Sequence, residues 1–374
     1  MGKGWFPATK RRLEPVGMVM IILLLGNCYG PARERAERDR TVGEAHLERL
    51  SLRVVDGLAA IREAEEARIL IWQSAPSVHL RIECLEALRF SVQIRNTMPS
   101  AIVTSESAGL SVIDLHPTGI KTMDVEVQCS PGNHQLRIGP PDADVSQPFR
   151  FMLMSDVQEA IDTVGDLYQL MNEQADTDFL LGAGDLTERG TPEELSHFER
   201  ELGKLNVPYY TTLGNHELGV DPPIYHDRFG RGNFSFTHKG ARFTLLDTAS
   251  ATLDPQVYDW LDRWLDKGRQ QFHVVAMHIP PVDPIGVRNG SFASRDEANK
   301  LLRRLAEDGV DLTLYGHIHS YYSFRNAGIP AYISGGGGAI PERFDGIDRH
   351  FVVFDVDPQR QTYTHQVVRL DHRH

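Results

Sequence analysis

From about residue 51 to 145 the chain alternates apolar and polar positions in short runs: SLRVVDGL, ARILIWQS, VHLRIECL, LRFSVQIRN, SAIVTS, TMDVEVQCS and HQLRIG, separated by Pro, Gly, Asn and Ser. A period of two over so few residues predicts half-buried strands, and several at this spacing predict a small all-β sandwich of immunoglobulin-like shape. Ser130-Pro131-Gly132-Asn133 supplies a turn between the last two. GPPDADVSQP then reads as a proline-rich linker that closes this unit.

After Pro148 the rhythm becomes strand, turn, helix. RFMLMSD precedes the helical VQEAIDTVGDLYQLMNEQ, DFLLGAGDL precedes TPEELSHFERELGKL, and PYYTTLGNHE is a further strand-to-loop unit. NFSFTHKG and ARFTLLDT predict a hairpin around Lys239-Gly240; DPQVYDWLDRWLDKG and SRDEANKLLRRLAEDG predict amphipathic helices, and FHVVAMHIP and DLTLYGHIH predict strands. More β follows in AYISGGGGA, HFVVFDVD and TYTHQVVRL. Repeated βα units with β-rich segments predict an α/β domain with more than one sheet.

The polar residues that carry chemistry stand where these strands end. Asp156 follows FMLM, Asp185 follows FLLGAG, Asn215-His216 follows YYTTLG, His278 follows HVVAM, and His317 and His319 follow LTLYG. Loops beyond the carboxyl ends of strands in open α/β sheets are where ligands bind, so five such loops predict one convergent site. Two carboxylates, an amide and several imidazoles form a mixed oxygen and nitrogen donor set suited to divalent Mn, Fe or Zn. By contrast, His79, His116 and His134 stand isolated in the sandwich and read as surface or structural groups.

In order along the chain, the motifs SDVQ, GDLTERG, GNHE, MHIP and GHIH resemble those of the calcineurin-like metallophosphoesterases, over residues of about 148 to 356. The resemblance implies a four-layer α-β-β-α sandwich for residues 148–374, two divalent metal ions (Mn, Fe or Zn), and hydrolysis of a phosphoester by a metal-activated water attacking in line. It implies that Asp185 bridges the ions, that Asp156 and His319 serve one, and that Asn215, His278 and His317 serve the other. It places His216 beside the phosphate, assisting the leaving group. Where the family pattern carries a histidine two residues after Asp156, this chain has Gln158. An amide oxygen is a harder and weaker ligand than imidazole nitrogen, so Gln158 either coordinates or leaves that ion to Asp156, Asp185, His319 and water. Rival readings are a phosphodiesterase rather than a phosphomonoesterase, and a non-catalytic envelope binding or scaffold protein that retains the fold.

Other residues near these motifs have simpler readings. Gly182, Gly214 and Gly316 permit tight strand-to-loop bends. Gly335–Gly338 reads as a flexible turn or as a close approach of backbone to substrate. Arg189 and Arg288 face either phosphate or solvent, Asp247 is a candidate to hold a ligand histidine or loop in place, and His372 and His374 lie in a polar tail.

The 374 residues carry a formal net charge of −12, with 41% hydrophobic and 24% charged residues. This is the composition of a globular chain with room for two cored domains, and the acidic balance disfavours nucleic-acid binding. At the start, Lys3, Lys10, Arg11 and Arg12 precede an apolar run from Val16 to Leu25, the layout of an export signal over residues 1–28. Its end at Gly26-Asn27-Cys28 resembles a bacterial lipoprotein signal, leaving lipidation at Cys28, an uncleaved anchor and plain secretion all open. The expectation is an exported protein of the bacterial cell envelope or periplasm, tethered to the membrane through its N-terminus, with residues 29–50 a charged, solvated spacer. Cys84 and Cys129 then form either a disulfide or two buried free thiols, and the oligomeric state is left open.

Overall fold

The computed structural model describes residues 1–2, 30–220, 223–286, 290–344 and 347–370. The export-signal run with Cys28, and likewise Arg288, His372 and His374, lies outside the described residues.

The alternating segments fold into two five-stranded sheets. One runs in the order Glu44–His46, Leu50–Val54, Val78–Cys84, Gly132–Gly139, Ile102–Ser105, and the other Ala59–Glu65, Arg68–Gln73, Leu88–Arg95, Thr122–Cys129, Leu110–Gly119. Leu80, Ile82, Val92, Ile94, Val125, Val127, Leu136 and Ile138 meet between the sheets because alternate positions on each strand face inward. Cys84 on one sheet and Cys129 on the other form a disulfide, with Cα atoms 6.7 Å apart, so the free-thiol alternative does not hold.

The second unit stacks a five-stranded and a six-stranded sheet. The first has the order Tyr209–Thr212, Thr177–Ala183, Phe149–Met154, His350–Asp357, Thr362–Arg369; the second has Phe234–His238, Ala241–Leu246, Phe272–Met277, Leu312–Tyr315, Ile329–Ser334, Tyr321–Asn326. Both faces of the central strands are covered, and period-two side chains serve the two cores separately. Phe151 and Leu153 join the core between the sheets, whereas Met152 and Met154 pack under helices. Gly165–Asn172 and Pro192–Leu202 cover the first sheet, and Pro255–Gly268 and Arg295–Glu307 cover the second, giving the four-layer α-β-β-α order. Thr191, Asp254 and Ser294 cap three of these helices by accepting hydrogen bonds from Glu194, Gln256 and Glu297 N–H. The hairpin expected at Lys239-Gly240 is present, with both residues at positive φ, +47° and +87°.

The two units share a packed seam. Trp72 and Ala60 of the sandwich enter the core of the first helical layer, Trp72 meeting Phe229 edge-on at 5.7 Å between ring centroids. Arg62 stacks over Trp72 at 4.2 Å and pairs with Glu199 at 2.8 Å. Asn96 accepts from Tyr209 N–H at 2.8 Å and donates to Tyr209 O at 2.7 Å, sealing the edge strand.

The described part of the expected spacer, residues 30–50, is not solvated chain. Gly30–Asp39 is a helix docked on the second unit, with Arg35 and Asp39 buried. The Arg35 guanidinium donates to both carboxylate oxygens of Asp247, at 2.6 and 3.1 Å, and Asp39 accepts from Gly232 N–H at 2.8 Å and from the Asn233 side chain at 2.8 Å. Charge density alone misreads this helix, because the groups that neutralise it lie some two hundred residues away.

Candidate metal centre

Parallel pairing aligns the carboxyl ends of Phe149–Met154, Thr177–Ala183 and Tyr209–Thr212 in one sheet, and of Phe272–Met277 and Leu312–Tyr315 in the other. The two edges meet: His278 Nδ1 donates to Ala183 O at 2.7 Å, and His317 N–H lies 3.0 Å from an Asp156 oxygen. Abrupt exits from the strands force unusual backbone. Asp156, Gln158, Asp185 and His317 all have positive φ, at +63°, +47°, +53° and +70°. Such conformations cost on the order of 1–3 kcal/mol each in a residue with a Cβ, and they cluster at functional loops.

Glycines supply the room. A Cβ on Gly214 would lie 2.1 Å from Asp185 Oδ1, and one on Gly316 would lie 2.4 Å from Ser155 Oγ and 2.9 Å from Asp156 Oδ2. The run Gly335–Gly338 is neither a flexible turn nor a substrate rest. Gly335, Gly336 and Gly337 are buried, and Gly337 N–H donates to Ser155 O at 2.8 Å, so the run packs behind the Asp156 loop.

All the expected site residues converge, in two groups that share Asp185. Ligand atoms of Asp185, His278 and His317 lie within 4.8 Å of one another. His278 Nε2 is 3.1 Å from Asp185 Oδ2 and 3.1 Å from Asn215 Oδ1. On the other side, His319 Nε2 is 3.5 Å from Asp156 Oδ1, and Gln158 Nε2 lies 2.9 Å from Asp185 Oδ2 and 3.1 Å from His319 Nε2. His216 stands at the rim: its backbone N–H donates to Asp185 Oδ1 at 3.0 Å, and its ring Nδ1 donates to Glu188 O at 2.7 Å.

The donor set fits divalent metal. His278 and His319 spend Nδ1–H on backbone carbonyls, Ala183 O and Ile340 O, each at 2.7 Å. That fixes the rings and turns the Nε2 atoms inward, the orientation metal-binding histidines adopt. Burial alone would pull the His278 imidazole down, but the facing Asp185 carboxylate outweighs it and pushes the group up to about 9. Burial works to raise the Asp185 carboxyl as well, yet His278 and His216 hold it well below the usual carboxylate range. Burial raises Asp156 more than His278 and His319 lower it. A dication among these groups takes over the role of those protons, which is why such centres bind metal with proton release.

Glu217 was not singled out from the sequence, although it follows the histidine of GNHE. It is buried and accepts from Asp185, Leu186, Thr187 and Gly214 N–H at 3.0, 2.8, 3.1 and 2.7 Å. One carboxylate thus clamps the Asp185 loop to the Asn215 loop. Burial and the charge of Asp185 push Glu217 up to about 7, against the N–H groups that favour its ionised form. Asp247 holds no ligand histidine; it is taken by Arg35 and by Ala249 N–H at 3.0 Å. Arg189 is largely exposed and lies 3.4 Å from Glu194. In the sandwich, His116 pairs with Asp114 at 2.7 Å and His134 lies 2.8 Å from Ser130 O, as structural groups do.

Residues 149–321 match the family model described as calcineurin-like phosphoesterase. The chain is 28% identical over 155 residues to a 3',5'-cyclic-nucleotide phosphodiesterase of Nostoc sp., covering 39% of this chain and 57% of that protein. It is 28% identical over 160 residues to a protein of Synechococcus sp. named a probable cyclic nucleotide phosphodiesterase, covering 40% of this chain and 61% of that one. It therefore spans about three fifths of the length of these curated relatives. A dimetal phosphatase from Danio rerio is similar in structure with a TM-score of 0.45 at 16% identity, covering 56% of this chain and 93% of that one.

Proposed function

We propose that the chain, whose residues 149–321 match the calcineurin-like phosphoesterase family, hydrolyses phosphoesters with two divalent ions. The observation that carries this reading is the cluster of buried Asp185 and His278 with half-buried His317, whose ligand atoms lie within 4.8 Å of one another at the ends of strands from two sheets. In the proposal Asp185 is shared, Asn215, His278 and His317 complete one position, and Asp156, Gln158 and His319 border the other. Bound dications supply the charge that neutralises phosphoryl oxygens and the acidity that readies a water for attack.

The chain's own residues orient the rest. Because Nδ1–H of His216 is held by Glu188 O, Nε2 faces the site, 3.9 Å from Asp185 Oδ2, and in the imidazolium form, which Asp185 and Glu188 favour, it presents a proton to a leaving oxygen. Glu217 keeps the Asp185 and Asn215 loops in register, so donor atoms from separate strands arrive preassembled. Apolar packing behind the loops, through Met154, Val157 and Leu186, keeps the site's rear wall dry.

A diester substrate is the second reading, and the names of the two cyanobacterial relatives, both cyclic nucleotide phosphodiesterases, favour it. The sandwich, residues 51–147, is proposed as an accessory unit, and residues 148–374 with the Gly30–Asp39 helix as the catalytic one. We further propose an exported, N-terminally tethered protein. The basic and apolar segment before Cys28 and the Cys84–Cys129 disulfide support an oxidising compartment. Among the described residues no helix is long and apolar enough to cross a membrane.

The test is hydrolysis of aryl phosphate mono- and diesters by the purified chain, with Mn added and with chelator. Metal-dependent turnover that chelator abolishes supports the enzyme, and preference between the two esters selects the reading. No turnover of either ester by metal-replete protein supports the scaffold alternative instead.

A further inference from the structure

The two metal positions differ in what their protein donors do. Around Gln158, both neighbours are acceptors. Asp185 Oδ2 is a carboxylate oxygen, and His319 Nε2 carries the lone pair because its Nδ1–H is spent on Ile340 O at 2.7 Å. The Gln158 group that lies 2.9 Å from the first and 3.1 Å from the second must therefore be the amide NH2, since an amide oxygen there would face two acceptors. Gln158 is not free to wander: it is 4% exposed, at φ +47°, on a loop whose backbone N–H groups donate to Asp185 O. The Gln158 amide meets the His278 side at the shared Asp185 Oδ2, which lies 3.1 Å from His278 Nε2, whereas its second contact is to His319, a ligand of the other position. The Asn215 group 3.1 Å from His278 Nε2 is the carbonyl oxygen, itself a metal-ligand atom.

We infer that the centre is intrinsically unequal: Asp185, Asn215, His278 and His317 hold one ion tightly, while the Gln158 amide competes for the second position and makes its ion weak and exchangeable. For an ion to enter beside Asp156 and His319, the amide must release both acceptors and either turn its oxygen inward or withdraw. The loss of two hydrogen bonds to ligand atoms weakens that position by roughly tenfold or more relative to the first. A histidine at 158 has a neutral tautomer with an inward lone pair, so it removes the competing donor and adds a ligand. The inference rests on reading these loops as a metal centre, and its test reads metal, not hydrolysis.

The experiment measures Mn in the full chain by elemental analysis after gel filtration in metal-free buffer, and Mn binding by calorimetric titration. The expected result is near one ion retained by the native protein, with a second binding phase at least about tenfold weaker. Gln158→His is expected to retain near two ions, and His319→Ala to keep the tight ion and lose the weak phase. Two ions retained by the native protein, two phases of equal affinity, or a Gln158→His variant that binds like the native protein would overturn the inference. No ion bound by the native protein at any Mn concentration sinks the metal-centre reading itself.

Discussion

The strand Phe272–Met277 has a histidine near each end, and the two ends behave oppositely. His273 and His278 are both buried, and burial is the largest influence on each, pulling the imidazole down. At the first end Arg242 is the charged neighbour, Thr244 Oγ1 lies 2.9 Å from the ring, and the group falls to about 3. At the other end Asp185 reverses the effect and the group rises to about 9. Depth in the core therefore does not make a site. What distinguishes the chemical end is uncompensated negative charge, delivered by loops with left-handed backbone and held by backbone N–H groups.

Removing that charge breaks the contrast most completely. Asp185→Asn is expected to abolish metal retention and to lower phosphoester turnover by at least about a hundredfold, checked by elemental analysis and a metal-supplemented assay. Asp247 tests the opposite case, a carboxylate at the site end that is already neutralised. Arg35→Ala leaves it buried and unpaired, with an expected loss of about 3–5 kcal/mol in denaturant unfolding. Replacing Arg35 and Asp247 together by apolar residues should recover much of it. Among the described residues the core between the sandwich's two sheets holds no such buried charge cluster, so its staple should matter for stability alone. Cys84→Ser with Cys129→Ser is expected to cost about 2–4 kcal/mol while metal retention stays unchanged.

The most gradual effect, silent at neutral pH, comes from the quiet end of the strand. His273 is neutral in both states above an unfolded value of about 6.5, and contributes nothing to the pH dependence there. As pH falls from there toward 3, the unfolded chain binds a proton that the folded chain refuses. Stability drops by about 1.4 kcal/mol per pH unit on this account. His273→Gln is expected to flatten that slope in unfolding titrations. An unchanged slope would remove burial near Arg242 as its cause.

Much of the architecture could be read from residue patterns because the forces involved are local. Period-two alternation marked the strands, amphipathic segments marked the helices, and Lys239-Gly240 marked a hairpin. The candidate site was legible for the same reason: strand-end loops each carry their own donor. The unread parts depend on distant partners. Nothing near Arg35 in sequence announces Asp247, and nothing in SDVQ shows that its amide meets Asp185 and His319. Gly335–Gly338 was read by its intrinsic freedom, whereas the fold spends that freedom on close backbone packing behind Asp156. Glu217 was hidden inside a motif whose neighbouring residues already had assigned roles.

The docked helix Gly30–Asp39 has a practical consequence for anyone who cuts this chain. Because it belongs to the later unit yet precedes the sandwich, that unit is discontinuous in sequence, and the sandwich is an insertion between this helix and the strand Phe149–Met154. Expression from residue 148 onward would discard one wall of the fold. It would also leave Asp247, His226 and Asn233 without the Arg35 and Asp39 contacts they make here. A faithful minimal fragment has to begin at the helix and either keep the sandwich or bridge its two ends with a short linker.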